Sequence, residues 1–197
     1  MRELYNYRID EVTFSRKPTD KKELEKLIKQ RIGQYGPNCD LNDIDVSKIT
    51  DMSRLFEWSQ FNGDISKWDV SNVKNMSGMF MDSQFNGDIS KWNVSKVERM
   101  DRMFRGSKFN GDISRWNVSN VKDMSFMFSD WCPFNGDISK WDVRKVKKME
   151  GMFEYADKFR GNLSDWKVSR DTDITRMFNK CYAGEPRWYY EIANKVR

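Results

Sequence analysis

The sequence contains no histidine. That removes the commonest general base, the Ser-His-Asp and Cys-His arrangements, and most zinc sites. It also lacks CxxC pairs, a phosphate-cradling Walker loop and a dinucleotide fingerprint. No catalytic residue, metal or cofactor is therefore expected, and no small-molecule substrate. Cysteine is scarce: Cys39, Cys132 and Cys181 are odd in number and far apart, which argues against a disulfide framework and for reduced thiols. Reduced thiols fit a cytoplasmic compartment. No run of eighteen apolar residues occurs, so no membrane span is expected. The opening Met1-Arg2-Glu3-Leu4-Tyr5 has no apolar h-region, so the expectation is a cytoplasmic chain, or a cell-surface one if a leader has been removed.

Aromatic residues are plentiful, at 14% of the 197 residues, with 8 Trp and 12 Met. Such side chains require burial, and the length suffices for one well-packed domain. The 35 basic residues outnumber the 30 acidic ones by only +5, a weak bias toward acidic partners.

An internal repeat dominates the chain. Ile65-Ser66-Lys67-Trp68-Asp69-Val70-Ser71-Asn72-Val73 returns at Ile89, Ile113, Ile138 and, more weakly, Leu163, where Asp171 stands in the place of the last valine. A degenerate copy starts at Leu41, with Ile44 in the Trp place. Trp68, Trp92, Trp116, Trp141 and Trp166 are spaced 24, 24, 25 and 25 residues apart. Each unit reads I-x-x-W-x-V-x-x-V-x-x-M-x-x-M-F, then F-N-G-D.

Trp68 and Val70 are two apart, which suggests a strand with both facing inward. Val73, Met76 and Met79/Phe80 fall on a helical stripe, with Ser71 or Asn72 as N-cap. Gly63, Gly87, Gly111, Gly136 and Gly161 suit a turn of positive φ. The expected fold class is thus an α/β solenoid, leucine-rich-repeat-like, of about six 24–25-residue strand–helix repeats with terminal caps. Residues 1–38 form an N-terminal cap, with a strand-like Tyr5–Phe14 and a helix from Asp20 through Ile32, capped by Asp20 and Glu23 and stopped by Gly33 and Gly36-Pro37. Residues 39–181 hold the repeats, and 182–197 a closing helix begun by Pro186. All belong to one structural domain.

The motif W-D-V-S-N-V-K-N-M-S-G-M-F with F-N-G-D-I-S resembles the BspA-like leucine-rich repeat family, over about residues 41–181. The resemblance implies a solenoid fold and, for many members, attachment to other macromolecules. It implies no catalytic residues.

Stacked repeats would align equivalent residues in columns. One column carries Lys67, Lys91, Arg115 and Lys140, four consecutive cations on the expected sheet face. Its neighbour carries Asp69, Asn93, Asn117 and Asp142, which would partly neutralise it. Asp64, Asp88, Asp112 and Asp137 beside the turn glycine are read as turn-stabilising acceptors. Departures from consensus form a second candidate set: Arg144, Lys145, Lys147 and Lys148, with the aromatics Phe126, Trp131 and Tyr155. Aromatics beside cations can anchor a protein interface or stack on bases. The function expected is non-enzymatic binding of a macromolecule, another protein foremost, by an intracellular interaction module or inhibitor. Two alternatives stand beside it: a bacterial surface adhesin-type repeat protein, and a nucleic-acid or ribonucleoprotein binder such as a mobile-element inhibitor of a host nuclease complex.

Overall fold

The computed structural model describes residues 17–194; the strand-like Tyr5–Phe14 lies outside them. Two helices are present, α1 at Lys21–Tyr35 and α2 at Arg187–Ala193. Between them the chain forms turns, and its β-pairing is confined to single-residue parallel bridges such as Asp51 with Asn75 and Asn75 with Arg99. The expected α/β solenoid of leucine-rich, strand–helix repeats is therefore overturned: the described residues contain no sheet, and no repeat contains a helix.

The reason lies in the local chemistry of each unit. Asp64-Ile65-Ser66-Lys67-Trp68, Asp69-Val70-Ser71-Asn72-Val73 and Asn75-Met76-Ser77-Gly78-Met79 share one pattern, an Asp or Asn, an apolar residue, a serine, a variable residue and a second apolar residue. In each the first side chain accepts the serine N–H two residues on, at 2.8, 3.0 and 3.0 Å. These are Asx-turns, in which a side-chain oxygen replaces a backbone acceptor. The second apolar residue then donates its N–H to the carbonyl of the first: Trp68 to Ile65, Val73 to Val70, Met79 to Met76. Apolar residues three apart thus close successive turns, each pointing inward, and the spacing imitates a helical stripe.

A helix over 73–80 is also blocked by backbone handedness. Arg54, Gly78, Arg102, Phe126, Gly151 and Arg176 occupy equivalent places and all have φ between 56° and 62°. A left-handed residue in the middle of M-x-x-M ends any right-handed helix. It turns alternate N–H groups toward the next repeat instead. Met76, Gly78, Phe80 and Asp82 donate to the carbonyls of Arg99, Asp101, Met103 and Arg105 at 2.8–2.9 Å. The same ladder recurs at the later junctions, for example from Phe104 to Met127 and from Phe128 to Met152.

The core between the turns is a set of aromatic columns. Phe56, Phe80, Phe104, Phe128, Phe153 and Phe178 stack with centroids 5.6–5.8 Å apart. The repeat tryptophans Trp68, Trp92, Trp116, Trp141 and Trp166 are buried, and each donates its indole N–H to an isoleucine or leucine carbonyl one repeat back, as Trp116 does to Ile89 at 3.1 Å. Trp188 of α2 repeats this contact on Leu163 (2.8 Å) and stacks on Trp166 at 6.5 Å. The closing helix thus supplies one further tryptophan to the column. In the last repeat the buried place of valine is taken by Thr172, not by the exposed Asp171, and its hydroxyl caps the Val146 carbonyl at 2.9 Å.

Two further expectations change. The F-N-G-D glycines do not have positive φ; a Cβ at Gly87 would lie 2.9 Å from the Phe85 ring, so close packing excludes a side chain there. At the other end, α1 begins at its Asp20 cap, whose carboxylate accepts the Glu23 N–H at 2.9 Å, while Glu23 accepts the Thr19 N–H at 2.8 Å. It passes through Gly33 and stops at Gly36, φ 85°. Leu24, Leu27 and Ile28 are its buried face.

Trp116→Ala is expected to lower stability by about 3–5 kcal/mol through cavity formation. Trp116→Phe should cost about 1–3 kcal/mol for the unsatisfied Ile89 carbonyl and lost contact. Urea denaturation measures both; equal, negligible losses would contradict the column. The serine N–H bonds hold Asp64, Asp88, Asp112 and Asp137 below the ordinary carboxylate range. Depressed native values mean that the unfolded chain takes up protons first on acidification. Their stabilisation is present above about pH 4 and is lost as pH falls further. The fourfold variant carrying asparagine at these positions, as Asn162 already does in the last repeat, should melt somewhat lower at neutral pH and show a shallower loss below pH 4. An unaltered acid slope would contradict this.

Candidate functional site

Lys67, Lys91, Arg115 and Lys140 are all exposed and lie in register, on turns and not on a sheet. Each stands close enough to the acid three residues before it to stabilise that carboxylate: Asp64, Asp88, Asp112 and Asp137 respectively. The column is thus screened along its length by a parallel row of acids. Its other neighbours, Asp69, Asn93, Asn117 and Asp142, spend their oxygens on turn N–H groups at 3.0–3.2 Å.

The off-consensus cations do not converge on one place. Arg144 forms a bidentate pair with Asp142 (2.8 and 2.7 Å) and draws that carboxyl down to about 2. Lys145 donates to the Asn120 Oδ1 at 2.8 Å. Lys96 does the same to Asn72, whose amide in turn donates to the Ser47 carbonyl. This Asn–Lys clamp ties successive repeats together and gives Lys145 a stacking role. Lys147 and Lys148 are exposed, with both N–H groups on the Lys122 carbonyl.

Of the aromatics, Trp131 and Tyr155 meet, while Phe126 packs against arginines that the motif reading passed over. Phe126 sits between two guanidinium groups, Arg102 at 5.3 Å and Arg176 at 5.6 Å from its ring centroid. The ring lies across Gly151, where any Cβ would strike it. Trp131 occupies the one-residue insertion of its repeat and is 66% exposed. Its ring meets that of Tyr155 at 5.3 Å, tilted by 35°, and its N–H donates to the Tyr155 carbonyl at 3.1 Å. Trp58 holds the position of Tyr155 in the first repeat and is 70% exposed. Alignment of the residue two after each M-F or L-F pair would have revealed it.

The arginines around this patch are neutralised. Arg102 pairs with Asp101, Arg105 with Asp130 at 2.6 Å, and Arg176 with Glu150 at 2.9 Å and Glu154 at 3.6 Å. Asp82 is the exception in direction: burial raises its pKa against the pull of Arg105.

The family model described as "Mycoplasma protein of unknown function, DUF285" matches residues 23–108 and, overlapping them, 84–187. The chain belongs to this family. No curated protein and no solved structure matches it.

Nucleophilic and metal chemistry find little support among these groups. Burial pushes Cys132 up to about 11 and raises Cys39 and Cys181 as well, so the thiols stay protonated at neutral pH and are weak nucleophiles. Among the described residues no three His, Cys, Asp or Glu side chains group as a metal site. No helix there is long and apolar enough to cross a membrane.

Gly151→Ala should cost about 1–3 kcal/mol, from the clash with Phe126 and from left-handed backbone. Phe126→Ala should remove the clash part, so the double variant should lose less than the sum of the singles. Strict additivity in a denaturation cycle would contradict the overlap of ring and glycine.

Proposed function

We propose that the protein is a non-enzymatic binding module for another protein, with the surface around Phe126, Trp131 and Tyr155 as the contact. The observation that carries this reading is the exposed Trp131–Tyr155 pair. Neither ring contributes to the buried aromatic columns, and Trp131 stands on an insertion that the three preceding repeats lack. Solvated tryptophan and tyrosine beside ordered arginine are the residues that dominate binding energy in protein interfaces. Phe126 is pre-positioned by its two arginines, so little conformational freedom remains to be lost on docking.

Charge favours a protein over a nucleic acid here. Affinity for a phosphate backbone requires cations that can release counterions, whereas Arg102, Arg105 and Arg176 all hold carboxylates. The likeness of the repeat motif to BspA-like repeats, many of which attach to macromolecules, supports binding in general.

Tagged protein used as bait in a lysate of its source cells, with and without nuclease, tests the reading against its main alternative. A stoichiometric, nuclease-resistant protein partner is expected. Trp131→Ala with Tyr155→Ala should weaken its capture by about thirtyfold or more, the loss of a hot spot of about 2 kcal/mol. The melting temperature should hardly move, because both sites are at the surface. Undiminished capture by the double variant, or loss of the partner on nuclease treatment, would overturn the assignment.

A further inference from the structure

The geometry points to a second, separate contact at the C-terminal end of the stack: a groove for an acidic peptide segment carrying an apolar side chain. α2 closes that end incompletely. Trp188 covers Trp166, and Tyr189 packs edge-on against Phe178 at 5.2 Å. Among the described residues nothing equivalent covers Val168. Its column mates Val46, Val70, Val94, Val118 and Val143 are buried, but Val168 is only partly so. The result is an open groove of about 530 Å³, with Trp166, Val168 and Trp188 along its apolar side and Arg144, Lys167, Arg187 and the carboxylate of Glu191 at its polar edge.

One of those cations breaks the rule on which the fold is built, and a second departs from the repeat consensus while keeping its Asx-turn. Lys167 replaces the Asp or Asn that every earlier repeat places there (Asp45, Asp69, Asn93, Asn117, Asp142). The substitution sacrifices an Asx-turn acceptor, because an ammonium cannot accept the Ser169 N–H. Arg144 replaces a serine. The two departures fall in successive repeats and border the same groove. Arg144 holds Asp142 through Nε and Nη2, which leaves its other donors outward, and Arg187 holds Glu191 through Nε at 2.9 Å. Lys167, an ammonium without an ion pair among the described residues, stands beside a half-buried valine and two guanidinium groups already paired with Asp142 and Glu191, which makes a seat for one carboxylate next to an aliphatic side chain.

The consensus itself supplies the test. Lys167→Asp and Arg144→Ser restore residues that the other repeats carry, so the double variant should fold at least as stably as the parent. The probe is a capped hexapeptide, Glu-Asp-Leu-Glu-Asp-Glu, followed by tryptophan fluorescence at low ionic strength. The parent is expected to bind it, more weakly as salt is added, and to ignore the Gln/Asn analogue. The restored variant should bind about tenfold or more weakly with an unchanged melting temperature. Equal affinity of parent and variant would overturn the assignment. So would equal binding of the uncharged analogue, absence of peptide binding, or preference for an oligouridylate over the peptide.

Discussion

The structure depends on one short hydrogen bond made many times over. An aspartate or asparagine oxygen accepts the N–H two residues downstream, and the chain turns. Two or three such turns per repeat set apolar pairs facing inward, and the closed shape leaves alternate N–H groups of the M-F segment pointing along the stack. Those groups find the next repeat's carbonyls, as Phe80 finds Met103 at 2.9 Å. Burial of the phenylalanine and tryptophan columns follows from that alignment. Backbone groups in such a core have no water to fall back on, so each must be paired within the stack.

This dependence separates residues that the fold needs from residues that are available for function. Asp69, Asn93 and Asn117 stand among exposed polar residues in the sequence, but each accepts a serine N–H and holds a turn. Lys145 looks like part of a basic cluster and instead joins two repeats through Asn120. What remains unexplained by the stack is small and specific: the exposed rings of Trp58, Trp131 and Tyr155, the arginine-flanked Phe126, and the cation Lys167 in a place that calls for an acceptor.

The repeat length, the inward tryptophans, the substitution of Ile44 for tryptophan and the capped α1 were legible in the residues alone. The secondary structure was not. Apolar residues three apart are shared by a helical stripe and by a run of closed turns, and W-x-V spacing is shared by a strand and by two adjoining turns. The discriminating feature was present in the recurrence of an Asp or Asn just before most apolar pairs and a serine just within them, as in Asp64-Ile65-Ser66. The left-handed column was hidden because only Gly78 and Gly151 announce it; Arg54, Arg102, Phe126 and Arg176 adopt the same conformation without glycine. The candidate cations were scattered for the same reason. With no strand to place Lys67 and Lys147 on a common face, shared charge did not imply shared location.

Scalar couplings across hydrogen bonds, measured by NMR on uniformly labelled protein, test the turn-built stack most directly. The account predicts that the Phe80 amide couples to the carbonyl of Met103, one repeat ahead, with Phe104 to Met127 and Phe128 to Met152 behaving alike. Coupling of Phe80 to the Met76 carbonyl, the partner that a helix through 73–80 requires, would contradict it.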